Sequence, residues 1–371
     1  MKLRKVMALT LAGAMAATSL TACGGSDTDK TTTAAAAETT AAAAADTTAA
    51  AAADTTAAAA DTADADVVLQ VAFENSVTEP VGQGWTKAQE IIKEKSGGTM
   101  AIEVYPDSQL GDKSSLIDSM LLGENVCTLA DGAFYADYGV PDFGIVFGPF
   151  LFDNWDQCWT LIESDWYKEQ CDKLEEKGLK IISSNWIYGE RHTLTTVPVN
   201  TVDDLKGLKI RVPSNEIQSK GFDVLGATST GMALGDVYQA LQTKTIDGAE
   251  NPLATLYGRK LHEVAKYLIL DGHVKNFTTW VVSADWFNSL TEEQQNWLVE
   301  TANEAGEYNN EVQQAAEADY LEKMKAEGVT VVDPSEEVLE GFKEKSKPFY
   351  DMFPQWTPGL YDTVRKAMGA N

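Results

Sequence analysis

Arginine is the residue type in this chain whose scarcity and placement point to chemistry. The 371 residues hold five arginines against 24 lysines, within 29 Lys+Arg and 56 Asp+Glu, a formal net charge of -27. In so acidic a chain most charges are solvated, and an arginine carried inside a strand asks for a reason. Arg211 lies in Leu208-Lys-Ile-Arg-Val212, where Leu208, Ile210 and Val212 share one face. Arg211 turns to the other face with Lys209. Arg191 begins a second expected strand. A guanidinium offers a planar, two-pronged donor that matches a carboxylate, which an ammonium does not reproduce. These two arginines read as holders of a small anion. The alternative on pattern alone is a surface ion pair with one of the 48 acidic residues of 67–371.

A third polar group comes from Asp247-Gly-Ala-Glu-Asn-Pro252. Asp-Gly supplies a turn, and Asn251-Pro252 ends an extended segment just before a helix. Such a junction presents backbone N–H groups and a short polar side chain to a cleft. An ordinary connection, with Asn251 as a helix cap, is the alternative.

Other chemistries lack their residues. There is no Gly-x-Ser-x-Gly, no His-Glu-x-x-His and no Gly-x-x-x-x-Gly-Lys-Ser/Thr. Carboxylate pairs can be drawn freely among so many acids, so counting leaves a glycosidase-like site open. His192, His262 and His273 have no metal-ligand spacing, and neither a metal nor a cofactor is expected. Cys127, Cys158 and Cys171 form no Cys-x-x-Cys. A Cys158–Cys171 disulfide is open to a chain outside the cell, while three buried small hydrophobes is the simpler reading. Trp85, Trp186 and Trp280 would either stack on a sugar or fill the core. The negative charge argues against nucleic acid, whose backbone needs a basic surface.

The elements that must position these groups emerge once the chain is cut. Residues 1–23 carry Lys2, Arg4 and Lys5, then a short apolar run from Val6 to Ala17. The run is too short to span a bilayer, so it reads as an export signal. Leu20-Thr-Ala-Cys23 resembles a bacterial lipobox, which makes Cys23 the expected lipidated first residue of the mature chain and anchors it to the membrane without spanning it. Residues 24–66, with 20 Ala, 11 Thr and no large apolar side chain, read as a low-complexity tether. The remaining 67–371 is the folded part.

There, strand and helix alternate. Strands are expected at Val67–Phe73, Met100–Tyr105 and Val126–Ala130, with helices at Gln83–Lys95 and Ser115–Leu122 between them. A helix is expected from Trp155 to Lys177, then a strand at Leu179–Ser184. A second α/β unit follows over about 188–277, with strands at Leu208–Val212 and Thr245–Ala249 and helices at Asn215–Leu225 and Asp236–Gln242. A strand at Val274–Val282 leads out. Thr291-x-x-Gln294 is a capping box that opens a helix to about Met324, long enough either to bridge two lobes or to pack along one. The fold class is α/β.

Three motifs together, Tyr105-Pro-Asp-Ser-Gln-Leu-Gly-Asp112, Lys206-Gly-Leu-Lys-Ile-Arg-Val-Pro213, and Val237-Tyr-Gln-Ala-Leu-Gln with Asp247-Gly-Ala-Glu-Asn-Pro252, resemble the DctP family. These are the extracytoplasmic solute receptors of TRAP (tripartite ATP-independent periplasmic) transporters. The resemblance runs through 67–371 in order. It implies two α/β lobes closing on ligand like a hinged trap, with the long helix across both. Lobe I would comprise 67–187 plus about 278–320, lobe II 188–277, and 321–371 a C-terminal helical segment. It implies that Arg211 pairs with the substrate carboxylate, that Arg191 assists and that Asn251 bonds the same carboxylate. Glu74 and Asp131, after the first and third strands, would add polar contacts. Leu234 stands where the family often has an aromatic ring, which leaves room or removes a stacking surface.

The function so implied is capture of a small organic acid outside the membrane and its delivery to the small and large TRAP membrane subunits, by a monomer that is not an enzyme. Two acidic groups facing the ligand suit hydroxyl donors, which places a sugar acid narrowly ahead of a C4-dicarboxylate. A lipid-anchored secreted hydrolase and a receptor serving a sensor protein are the competing readings.

Overall fold

The computed structural model describes residues 65–370. The export signal, the lipidation site Cys23 and the tether up to residue 64 lie outside the described residues.

The chain opens with β1 (Val67–Ala72), α1 (Pro80–Lys95), β2 (Met100–Tyr105), α2 (Lys113–Leu121), β3 (Val126–Ala130) and α3 (Gly132–Asp137), followed by α4 (Trp155–Ile162) and α5 (Asp165–Glu176). The single helix expected over Trp155–Lys177 is two helices. Ser164 breaks it, because its hydroxyl accepts from the Tyr167 N–H and caps α5. Next come β4 (Leu179–Thr195), β5 (Lys209–Val212), α6 (Glu216–Leu225), β6 (Thr228–Gly231), α7 (Val237–Gln242), β7 (Gly248–Asn251), α8 (Leu253–Gly258) and β8 (Tyr267–Ser283). The chain closes with α9 (Ala284–Ser289), α10 (Glu292–Ala326), β9 (Thr330–Val332), α11 (Glu336–Ser346) and α12 (Leu360–Ala367).

Among the described residues the strands form one sheet in the order β2-β1-β3-β8-β4-β7-β5-β6, with β9 beside β8. One end is parallel, β2 and β3 flanking β1; the other is parallel too, β6 and β7 flanking β5. Between them run β4 and β8, 17 residues each and antiparallel to one another. β8 meets β3 through Thr279–Val282, whereas β4 meets β7 through His192–Thr195. The two ends are the two lobes, and β4 and β8 pass through both.

These long strands were visible in the sequence only as short pieces. The register of β4 against β8 shifts between Ile181 and Ser183, Ser183 and Trp186, Ile187 and Gly189, and Arg191 and Thr193. Each bulge resets the in-out alternation on which strand recognition depends. Arg191 therefore lies well inside a strand rather than at the start of one. At Gly189 the bulge takes φ +134°, and an added Cβ would sit 2.6 Å from Pro252 Cβ, so only glycine lets Pro252 approach β4 here.

Helix α10 has the expected capping box: the Gln294 N–H donates to Thr291 Oγ1, and the Thr291 N–H to Gln294 Oε1. It crosses both lobes. Leu298, Ala302 and Ala305 join the first-lobe core beside Trp85 and Trp186, and Met324 joins the second-lobe core with Leu241 and Leu256. The three tryptophans are core: Trp85 stacks on Trp186 at 5.6 Å, and Trp280 stands edge-on to both. The thiols of Cys127, Cys158 and Cys171 are free and are shielded to different degrees, the first two buried and the third half-buried. No helix of the described residues is long and apolar enough to cross a membrane.

Candidate functional site

Arg211, Arg191, Asn251, Asp131, Glu74 and Leu234 all line one cavity. Each arrives by its own route. Arg211 and Asn251 come from β5 and β7, and the other face of β5 buries Ile210 and Val212. Arg191 comes from β4. Glu74 follows β1, and Asp131 follows β3 as the N-cap of α3, accepting from the Ala133 N–H. Leu234 opens a 3-10 turn before α7. The cavity thus lies at the C-terminal ends of parallel strands, where open α/β sheets leave a crevice.

The two arginines are equally buried and differently occupied. Arg191 Nε and Nη2 donate to Glu250 Oε2 and Oε1 at 2.6 and 2.7 Å, and Nη1 donates to Asn276 Oδ1 at 3.0 Å. Its guanidinium also lies 5.3 Å from the Phe147 ring centre. One fork is therefore closed by a protein carboxylate. Arg211 donates Nε and Nη2 to a single acceptor, the Met232 carbonyl, at 3.0 and 2.6 Å. It has no ion pair among the described residues. Burial lowers its pKa, partly offset by the more distant carboxylates of Glu74 and Glu250. An unpaired buried guanidinium is costly, and an anionic ligand would compensate it. Asn251 adds a second unmet donor: its Nδ2 is buried without an acceptor among the described residues.

Beneath Arg191 lies a chain of buried charge. Both ring nitrogens of His273 face carboxylates, Nδ1 toward Asp271 at 3.1 Å and Nε2 toward Glu250 at 3.2 Å. Only a doubly protonated ring donates to both. Burial opposes that charge, but Asp271 and Glu250 overcome it and push the His273 pKa to about 9. Glu250 is likewise penalised by burial, yet Arg191 and His273 hold it at about 2. Asp271 also accepts from the Thr193 N–H and hydroxyl. His192 Nδ1 accepts from the Gly272 N–H, and burial lowers the pKa of this ring, with Asp271 and Glu190 acting partly against it.

The lobes meet around the cavity. The Leu234 N–H donates to Glu74 Oε1 at 2.8 Å. Further out, Thr255 Oγ1 of α8 donates to Glu79 Oε2 at 2.9 Å, and Asn75 Nδ2 reaches Glu79 Oε2 and Tyr188 Oη. Arg259 Nη1 donates to Asp107 Oδ1 at 2.7 Å across the rim.

Lys113, Asn75, Tyr188, Gln218 and Asn276 also line the cavity and were not legible as site residues. Lys113 was missed because the expected helix began at Ser115; the structure starts α2 at Lys113, which places this cation in the first turn, against the helix dipole. The others are ordinary polar residues brought in by topology. Among the described residues no group of three or more His, Cys, Asp or Glu could hold a metal ion.

The family described as bacterial extracellular solute-binding protein, family 7 (DctP), matches residues 71–355. The chain is 28% identical over 297 residues to the sialic acid-binding periplasmic protein SiaP of Vibrio cholerae, covering 79% of this chain and 90% of that one. A TRAP periplasmic solute binding protein from Ochrobacterium anthropi with bound L-fuconate superposes with a TM-score of 0.79 at 38% identity, covering 82% of this chain and 100% of the other. One from Actinobacillus succinogenes with bound L-galactonate gives 0.78 at 35% identity, covering 81% and 99%.

Proposed function

The chain belongs to family 7 of the bacterial extracellular solute-binding proteins, DctP, and from that premise we propose that it captures a sugar acid between its lobes and delivers it to TRAP membrane subunits. The observation that carries the reading is Arg211. Its guanidinium is buried in the inter-lobe cavity without an ion pair among the described residues, beside the unmet amide of Asn251. A ligand carboxylate answers both. Arg191 assists: Glu250 orients it and leaves it less free to donate. Glu74 and Asp131, on the opposite lobe, suit hydroxyl donors better than a second carboxylate. The aldonates held by the two similar structures support a sugar acid over a C4-dicarboxylate.

Capture is closure of the lobes onto ligand, stabilised by contacts made only in the closed state. Lobe I comprises 67–187 and about 278–320, and lobe II comprises 188–277. The receptor acts as a monomer without turnover, tethered outside the membrane through lipid on Cys23. A thermal-shift screen with L-fuconate, L-galactonate, D-gluconate, D-galacturonate and succinate tests the assignment. A sugar acid should raise the melting temperature of the wild type and leave Arg211→Ala unmoved. An equal rise in both proteins would sink the role of Arg211, and no rise with any acid would sink the receptor assignment.

A further inference from the structure

Lys113 is placed where a lysine is disfavoured. It is the first residue of α2, directly after the N-cap Asp112, whose carboxylate accepts from the Ser115 N–H. It thus sits at the positive end of the helix dipole. Arg191 and Arg211 repel it across the cavity, and burial lowers its pKa, with Asp131 and Glu74 acting only partly against this. It forms no ion pair or hydrogen bond among the described residues; its ammonium lies 4.4 Å from the centre of the Phe134 ring. Nothing in this surrounding answers the charge as a carboxylate contact would.

Its position supplies the missing partner. Lys113 lines the cavity with Arg211 and Asn251, and it also lines an adjoining outer compartment. That compartment is walled by Asp112, Ser114 and Phe134 from the first lobe and by Pro213, Ser214 and Met232 from the second. The other two cations of the cavity, Arg191 and Arg211, stand on second-lobe strands. Lys113 is the cation that the first lobe contributes.

Resting on the receptor reading above, we infer that Lys113 is a specificity-determining residue that donates from Nζ to hydroxyl oxygens of the ligand beyond its carboxylate. The carboxylate is fixed to the second lobe, so this contact forms only as the lobes close. It makes closure depend on a hydroxylated tail, selects sugar acids over bare alkyl acids, and accounts for a lysine at a position that costs stability.

The test is calorimetric titration of the full chain and of Lys113→Met and Lys113→Gln with L-fuconate, L-galactonate and D-gluconate, and with monodeoxy forms of whichever binds most tightly. Both variants should bind that aldonate at least tenfold more weakly while melting, without ligand, at or above the wild-type temperature. Removing one ligand hydroxyl should weaken binding to the wild type but not to the variants, the non-additivity expected of groups in contact. Affinity within twofold of wild type, an equal loss for every deoxy ligand in both proteins, or variants that melt well below wild type would each overturn the inference. A wild type that binds none of the acids would instead overturn the receptor reading, and this role with it.

Discussion

Arg191 and Glu250 meet edge to edge at 2.6 and 2.7 Å, both buried, while Arg211 in the same cavity meets, among the described residues, the Met232 carbonyl as its one hydrogen-bond acceptor. One arginine is neutralised by the protein, and the other has no ion pair among the described residues. Replacing Glu250 by Gln leaves Arg191 and His273 as neighbouring buried cations without their shared anion. Breaking one side of a buried pair typically costs about 3–5 kcal/mol. Glu250→Gln should lower the urea unfolding free energy by about that amount. Adding His273→Gln should recover part of the loss, since the two effects act on one network.

Arg211 predicts the opposite balance. Its charge is desolvated without an ion pair among the described residues, so Arg211→Met should leave the ligand-free protein as stable as the wild type or more so. The same change should remove sugar-acid binding. Two charge-assisted hydrogen bonds are worth about 3–6 kcal/mol together, roughly two to four decades of affinity. Arg211→Lys keeps the charge but not the fork, and calorimetry should place it between the two.

The chain of charge under Arg191 also sets a pH window. Glu250 is depressed from 4.5 to about 2, so its contribution is present above pH 4.5 and is lost as pH falls toward 2. His273, facing Glu250 and Asp271, is raised from 6.5 to about 9, so its contribution is complete below pH 6.5 and is lost as pH rises through 9. Urea midpoints should therefore plateau between pH 4.5 and 6.5 and decline toward pH 9. In His273→Gln the alkaline decline should be shallower; an unchanged slope would show that His273 is not the group responsible.

How much of this was legible follows the same physics. The period of β2, β3 and α10 and the capping box at Thr291 gave their elements nearly to the residue, because each depends on local spacing. β4 and β8 appeared as fragments, because bulges hide the alternation of a strand that serves two lobes. Arg211, Arg191 and Asn251 could be singled out because arginine is rare and Asn-Pro punctuates. That Glu250 would occupy one arginine and spare the other is a long-range pairing, 59 residues apart, with no local mark. The burial of His273 between two carboxylates is of the same kind.

The close approach of α1 and α10 offers a purely steric prediction. A Cβ on Gly84 would fall 2.6 Å from the Trp186 ring, and one on Gly306 would collide with Asn185 Oδ1 and fall 2.8 Å from Trp186 Nε1. Trp186 is held here by its Nε1 bond to the Ala302 carbonyl. The fully buried Trp186 ring has no room to yield, so Gly84→Ala and Gly306→Ala should each destabilise by about 1–3 kcal/mol through overpacking. Chemical denaturation should show this loss despite the higher helix propensity of alanine.

The pair Arg259–Asp107 bridges the rim from α8 to the turn after β2, with side chains about one-fifth and one-third exposed. It joins the two lobes, so it favours the closed arrangement, and its exposure keeps it modest, about 0.2–1 kcal/mol. Asp107→Asn should weaken sugar-acid affinity by up to about fivefold at low salt, and it should do so by speeding release rather than slowing capture. Because salt screens an exposed pair, the gap between wild type and variant should narrow as sodium chloride is raised. Stopped-flow dissociation rates at two salt concentrations measure both effects. Equal release rates at low salt would mean that the rim contact forms without holding the lobes together.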